Sequence, residues 1–175
     1  MPLIVDFLAT LTLLAHIGMA TLALLVLFLR PWGRRALTWL RGIVHARTAA
    51  LVVAWSGTLG SLYLSEVLAW APCKLCWLQR TMLYPQALLL TFMRKDDRMS
   101  WLVPLNVVGA AVAALQVAEQ RGSIAACGDA SCAVLYSLHY GYISVPVMAL
   151  TAFVMMGLLL WEHNTSTTRS WKARA

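Results

Sequence analysis

The sequence predicts an all-α polytopic membrane protein, a helical bundle forming one membrane domain over residues 1–175. Composition is the first reason: 61% of the residues are hydrophobic, 12% are charged and the mean hydropathy is +0.72. A soluble domain of this size has no interior large enough for such an apolar surplus. The second reason is a series of apolar runs near the roughly twenty residues that a helix needs to cross a bilayer. The third is the segregation of basic residues into alternate connections.

Five spans are predicted in order. Phe7 to Leu29 is the first. Its preceding segment, Met1 to Asp6, has no positive charge and the apolar run is long, so it reads as a retained helix and not as a cleaved signal. Thr48 to Trp70 is the second. Leu78 to Met93 is short and contains Pro85, where a kink is expected because proline removes a helical donor. Trp101 to Ala118 and Ile143 to Trp161 complete the set. Pro104 and Pro146 fall near the first turns of these last two, where a missing N–H leaves no partner unsatisfied.

Charge then orients the spans. Arg30, Arg34, Arg35, Arg41 and Arg47 occupy the first connection, Arg94, Lys95 and Arg98 the third, and Arg169, Lys172 and Arg174 the tail. Basic residues concentrate on the cytoplasmic side of membrane proteins, so the N-terminus is expected outside and the C-terminus in the cytoplasm. The net charge of +7 is accounted for by these topogenic residues, with no aromatic-interleaved patch pointing to nucleic acid.

That topology puts all four cysteines on the extracytoplasmic side: Cys73 and Cys76 in the second connection, Cys127 and Cys132 in the fourth. Disulfides persist outside the cytosol, and the simplest of three possible connectivities pairs Cys73 with Cys76 and Cys127 with Cys132. Three chemistries compete. The cysteines could ligate a soft metal, but no histidine stands near the first pair and no resident metal is expected. They could form inert braces, although a bridge across two residues closes a tiny loop and stabilises little. Short exposed bridges are instead the exchanging kind.

The neighbours of Cys76 favour exchange. A helix beginning near Cys76 or Trp77 would place that sulfur at a positive helix end, with Arg80 one turn below, and both effects stabilise a thiolate. A poised thiolate at a membrane surface needs an electron acceptor, and a lipid-soluble quinone fits. Arg80 could stabilise charge on a quinone oxygen while Trp77 offers an apolar wall. Taken singly, Arg80 is also readable as a snorkelling cation and Trp77 as an interfacial aromatic. Quinone reduction consumes protons, and Glu66 and Glu119, at the outer ends of the second and fourth spans, are candidates to carry them or else to fix helix packing.

Pro72-Cys73-Lys74-Leu75-Cys76-Trp77-Leu78-Gln79-Arg80, continuing to Met82-Leu83-Tyr84-Pro85, resembles the signature of the DsbB family of disulfide-bond formation proteins, especially its BdbC branch. Gly60 to Glu66, Glu119-Gln120, the second cysteine pair and Gly141 to Pro146 follow in that family's order. The resemblance implies a four-helix core over 47–161, with 1–46 an additional N-terminal helix and basic loop and 162–175 a cytoplasmic tail. It implies an enzyme of the bacterial inner membrane. Cys127 and Cys132 would oxidise a thioredoxin-fold, DsbA-like dithiol partner, Cys127 forming the mixed disulfide by position, although their close spacing leaves open which of the two faces the partner. Cys73 and Cys76 would reoxidise that pair, and a ubiquinone or menaquinone, beside Cys76, Trp77, Gln79 and Arg80, would take the electrons. The DsbA–DsbB–quinone chain is itself a standard example of how the periplasm is kept oxidising.

The chain departs from the pattern at three places. The helix at Phe7 to Leu29 is an addition of no assigned role, Gln116 stands where some relatives are expected to carry histidine, and only four residues separate Cys127 from Cys132. The intervening Gly128-Asp129-Ala130-Ser131 is small and polar, suited to approach by a partner. His16, His45 and His139 read as packing or loop contacts, and Met148, Met155 and Met156 as bundle filler. A vitamin K epoxide reductase-like quinone enzyme is the nearest alternative, disfavoured by the order of the cysteine pairs. A disulfide-braced scaffold and a metal-handling protein are alternatives of other classes.

Overall fold

A computed structural model describes residues 3–29, 32, 45–93, 99–124, 127, 132 and 134–172, with side chains to 165. The described residues form five helices, which we number α1 (Leu3–Phe28), α2 (Ala46–Leu62), α3 (Lys74–Phe92), α4 (Leu102–Gln120) and α5 (Val145–Lys172). Helices α2 to α5 pack as a core, α4 lying between α3 and α5, and α1 docks against α5 and α2 from outside. The cysteines gather at one end of this bundle. At the opposite end Arg47 opens α2 and donates to the carbonyls of Leu90 and Met93, tying it to the end of α3.

Among the described residues, four helices are long and apolar enough to cross a membrane: α1, α2 with its continuation to Val67, α4, and α5 to Thr165. Helix α3 is less apolar because Gln79, Arg80 and Gln86 are buried in the bundle, while Leu88 and Phe92 face outward. A helix surrounded by others satisfies inward polar groups with neighbours, which a hydropathy window cannot see. Outside, the exposed surface carries Phe7, Leu14, Leu27, Val107, Leu158 and Trp161, a lipid-facing coat. The protein is a helical membrane bundle.

Small residues bring the helices together, as expected where lipid supplies no hydrophobic drive for association. Ala50 and Ala54 of α2 are fully buried against Leu83, Ala87 and Leu90 of α3. A Cβ on Gly109 of α4 would lie 2.4 Å from the Phe153 ring of α5, so only glycine permits that crossing. Polar pairs add register: Asn106 donates to Gln86 Oε1 at 2.6 Å, and the Trp55 indole to Thr91 at 3.0 Å.

Several predicted boundaries shift. The second span ends as a π-helical turn, Tyr63–Val67, in which the Leu68 N–H reaches the Tyr63 carbonyl. Ala69 then takes a left-handed conformation, φ 51°, and the chain turns toward Cys73. Helix α3 begins at Lys74, ahead of the expected Leu78, because the Cys73 side chain caps it. It continues as helix through Pro85 to Phe92. Helix α4 runs two residues further than expected, to Gln120, and α5 runs past Trp161 to Lys172. Pro104 and Pro146 occupy first turns, as their spacing requires. The basic residues of the first and third connections, Arg47 excepted, and the insert at 128–131 lie outside the described residues.

Candidate functional site

Cys73 precedes α3 with extended backbone, φ −74° and ψ 174°, and its sulfur accepts the Cys76 N–H at 3.3 Å. Pro72 before it has no N–H and holds the chain out of helix, so the first free donors of α3 meet a sulfur instead of water. The two sulfurs stand 2.8 Å apart as free thiols. Both precede the apolar stretch of α3 that starts at Leu78.

From α4, Gln116 places its amide nitrogen 3.2 Å from Cys73 Sγ and 3.2 Å from Cys76 Sγ. Its oxygen accepts from Gln79 Nε2 at 2.7 Å, which fixes the amide so that its N–H groups point at sulfur. Arg80, one turn below Cys76, donates to the Ser61 carbonyl at 2.9 Å and covers the Trp77 ring with its guanidinium 5.2 Å from the centroid. Hydrogen bonding from Cys73 holds the Cys76 thiol down to about 6, against the opposing effect of burial, with Gln116 and Arg80 adding to the depression. The Cys73 thiol moves upward, first because its proton is shared with Cys76 and then through burial. Near neutral pH the pair therefore holds one proton, with the negative charge on Cys76.

These groups border a cavity of about 370 Å³. Cys73, Cys76, Gln79, Arg80 and Gln116 cluster in its wall, and most of the remaining lining is apolar. Near its rim Trp70 stacks on Tyr136, ring centroids 5.1 Å apart, while the Tyr136 hydroxyl donates to the Ala71 carbonyl at 3.3 Å. Gln120 fastens the segment before α5, donating to the Val134 carbonyl and accepting from Ser144.

The second pair is a disulfide, Cys127–Cys132, with sulfurs 1.98 Å apart. Cys132 is fully buried and Cys127 is half-buried, leaving Cys127 as the more accessible sulfur. Glu119 of α4 lies beside it: Oε1 accepts the Cys127 N–H at 3.2 Å, whereas buried Oε2 has no partner among the described residues. A carboxylate oxygen and both sulfurs fall within 4.8 Å of one another.

The sequence-derived residues therefore divide into groups. Cys73, Cys76, Gln79 and Arg80 come together at the cavity. Trp77 points outward, 56% exposed, and meets Arg80 from outside the cavity lining. The two carboxylates separate: Glu66 is exposed and accepts from Ser65, while Glu119 stands at the second cysteine pair. Gln116 was legible only as a departure from a pattern. Its signal was the spacing of Gln116, Glu119 and Gln120, i, i+3 and i+4, which puts three polar residues on one face of an otherwise apolar helix.

A family model described as "Disulfide bond formation protein DsbB" matches residues 45–163, covering the core, both cysteine pairs and none of α1. "Probable disulfide formation protein C" of Bacillus cereus is 36% identical over 121 residues, covering 62% of this chain and 87% of that protein. "Disulfide bond formation protein C" of Bacillus subtilis is 34% identical over 116 residues, 62% of this chain and 84% of its own. "Probable disulfide formation protein" of Metapseudomonas resinovorans is 32% identical over 147 residues, 78% of this chain and 93% of its own. No solved structure gives a significant match. With more than half its length matched across the residues that build both cysteine sites, the chain belongs to the DsbB family.

Proposed function

We propose that this protein is a thiol:quinone oxidoreductase that reoxidises a thioredoxin-fold, DsbA-like dithiol partner outside the cytoplasm of a bacterial cell. The observation that carries the reading is the placement of Cys73 and Cys76, with Gln116 and Arg80, in the wall of one cavity of a membrane bundle. An apolar chamber with amide and guanidinium donors at its thiol end fits an acceptor that combines a polar ring with an apolar tail. Family membership and the names of the relatives support the disulfide-forming part of the reading.

The exchange begins at Cys127, the accessible member of the outer disulfide. A partner thiolate attacks its sulfur, the Cys127–Cys132 bond breaks, and Cys132 leaves as thiolate. The second partner thiolate then displaces Cys127, so the partner departs as a disulfide and the loop pair holds two electrons. Attack by this pair on an oxidised Cys73–Cys76 bond restores Cys127–Cys132 and leaves the inner pair as dithiol. A ubiquinone or menaquinone in the chamber supplies the two-electron, two-proton sink for that dithiol. Gln116 and Arg80 hold charge on Cys76, the better leaving group and the sulfur nearer the arginine's influence, while Cys73 keeps the proton. Gln79 orients Gln116, and Trp77 backs the guanidinium.

The proposed topology follows the basic residues: N-terminus and cysteine end outside, C-terminus in the cytoplasm of the inner membrane. Impermeant thiol reagents should therefore reach reduced Cys127 in intact spheroplasts, and protection there would reverse the orientation. A metal-handling role draws on the Glu119, Cys127 and Cys132 cluster. It requires reduction of the disulfide first, and stoichiometric zinc in reduced, purified protein would favour it. The deciding experiment mixes purified protein with reduced thioredoxin-fold partner and a short-tailed quinone. Partner oxidation should proceed catalytically in the wild type and stop after about one equivalent in Cys76→Ser, whereas continued turnover by Cys76→Ser would refute the assignment.

A further inference from the structure

Helix α1 lies wholly outside the segment that the family model matches, 45–163, yet its docking is specific. Val5, Ala9 and Thr12, at i, i+4 and i+7, are buried. Leu8 covers Gly60 of α2 so closely that a Cβ there would sit 3.0 Å from its Cδ1. Polar contacts fasten the same helix to the segment that leads into α5 and to α5 itself. Asp6 Oδ1 meets His139 Nε2 at 2.8 Å, and Thr10 meets the Tyr140 hydroxyl at 3.1 Å. His16 bridges the Tyr142 hydroxyl at 3.1 Å and Thr151 at 2.7 Å. A histidine in an apolar span is costly unless both ring nitrogens are satisfied, and both are.

The docked face also borders the chamber. Leu8, Leu11, Thr12 and Ala15, at i, i+3, i+4 and i+7, line the same cavity as Cys73, Cys76 and Arg80. From α2, Ser56, Gly57 and Gly60 line the same cavity, Leu83 packing close over Gly57 and Leu8 over Gly60. We propose that α1 is a wall of the electron-acceptor chamber, and that Leu8 and Ala15 set the size of quinone ring it admits. The inference rests on the quinone reading above. An addition to the family core thereby becomes a specificity element: the core supplies the thiols, and α1 supplies the surface that decides which acceptor fits beside them.

Two substitutions alter the space in opposite directions. Ala15→Phe narrows the chamber, and Leu8→Ala widens it over Gly60. Equilibrium binding to full-length protein in detergent, read by tryptophan quenching, should be measured for a short-tailed dimethoxybenzoquinone and a short-tailed naphthoquinone. Ala15→Phe should weaken naphthoquinone binding about tenfold, and Leu8→Ala should shift preference toward naphthoquinone by a similar factor. Exchange between Cys127–Cys132 and a reduced thioredoxin-fold partner, measured without quinone, should match wild type in both and so report an intact bundle. A photoreactive azidoquinone should label wild type between Leu8 and Ala15. Wild-type affinities in both variants, or labelling confined to α2 through α5, would overturn the wall while leaving quinone use standing. Failure of the wild type to bind either quinone would overturn both, and would locate the error in the quinone reading.

Discussion

Replacing Gln116 by leucine tests whether the α4 amide holds the charge on Cys76. The substitution preserves approximate volume but removes the N–H groups that stand 3.2 Å from each sulfur. A hydrogen bond to a charged group contributes about 1.5–3 kcal/mol, and one pKa unit corresponds to about 1.36 kcal/mol. One amide shared between two sulfurs, which are weak acceptors, belongs at the lower end, so the pair should titrate about one unit higher. Cys76 starts at about 6. Its thiolate fraction at pH 6 should accordingly fall about fivefold and at pH 9 hardly change. The sign follows from thiolate being the reactive form: alkylation is lost as pH falls through the titration point, and the variant loses it at higher pH. The assay is the pH dependence of Cys76 alkylation, site-resolved by mass spectrometry, in reduced protein carrying Cys127→Ser and Cys132→Ser. Gln79→Leu is the companion variant: it keeps the Gln116 amide but removes the contact at 2.7 Å that orients it, so a smaller shift in the same direction is expected. An unmoved profile in Gln116→Leu, or a larger shift in Gln79→Leu than in Gln116→Leu, would refute the direct role of the amide.

Arg80→Met removes both the bond to the Ser61 carbonyl and the nearby positive charge, so apparent quinone KM should rise at least about tenfold while single-turnover exchange with the partner stays unchanged. Glu119→Gln retains an oxygen for the Cys127 N–H but loses the carboxylate, and should slow exchange at Cys127–Cys132 without moving the Cys76 alkylation profile. Gly109→Ala drives a methyl into the Phe153 ring and should destabilise the bundle by about 1–3 kcal/mol in detergent denaturation. Phe153→Leu in the same chain should recover part of that loss.

Much of the fold was readable in the sequence because a bilayer permits few solutions: apolar runs became helices, and Pro104 and Pro146 fell in first turns where donors are spare. The site was harder, for reasons visible residue by residue. The cysteine pairs and Arg80 announce themselves, since cysteines at short spacing followed by a buried cation have little purely structural use. Gln116 does not, because a glutamine in an apolar run acquires meaning only when another helix brings sulfur to it. The start of α3 was misplaced because Cys73 caps the helix with its own sulfur, a pattern absent from the usual Ser, Thr, Asp and Asn signals. Glu66 and Glu119 looked equivalent as carboxylates at span ends. Their difference lies in the π-turn at Tyr63–Val67, where Glu66 is exposed, and in the loop that brings Cys127 to Glu119. The position of α1 was likewise illegible, being set by contacts to residues more than a hundred positions away.

The central claim is that electrons leave this protein for quinone through Cys73 and Cys76. It is tested most directly by mixing fully reduced protein with one equivalent of short-tailed quinone under anaerobic conditions and mapping the thiols that disappear. The account predicts one hydroquinone formed per disulfide, rapid loss of quinone only when both Cys73 and Cys76 are present, and retention of that fast phase in a chain carrying Cys127→Ser and Cys132→Ser. Equally fast quinone reduction after Cys73→Ser and Cys76→Ser would contradict it.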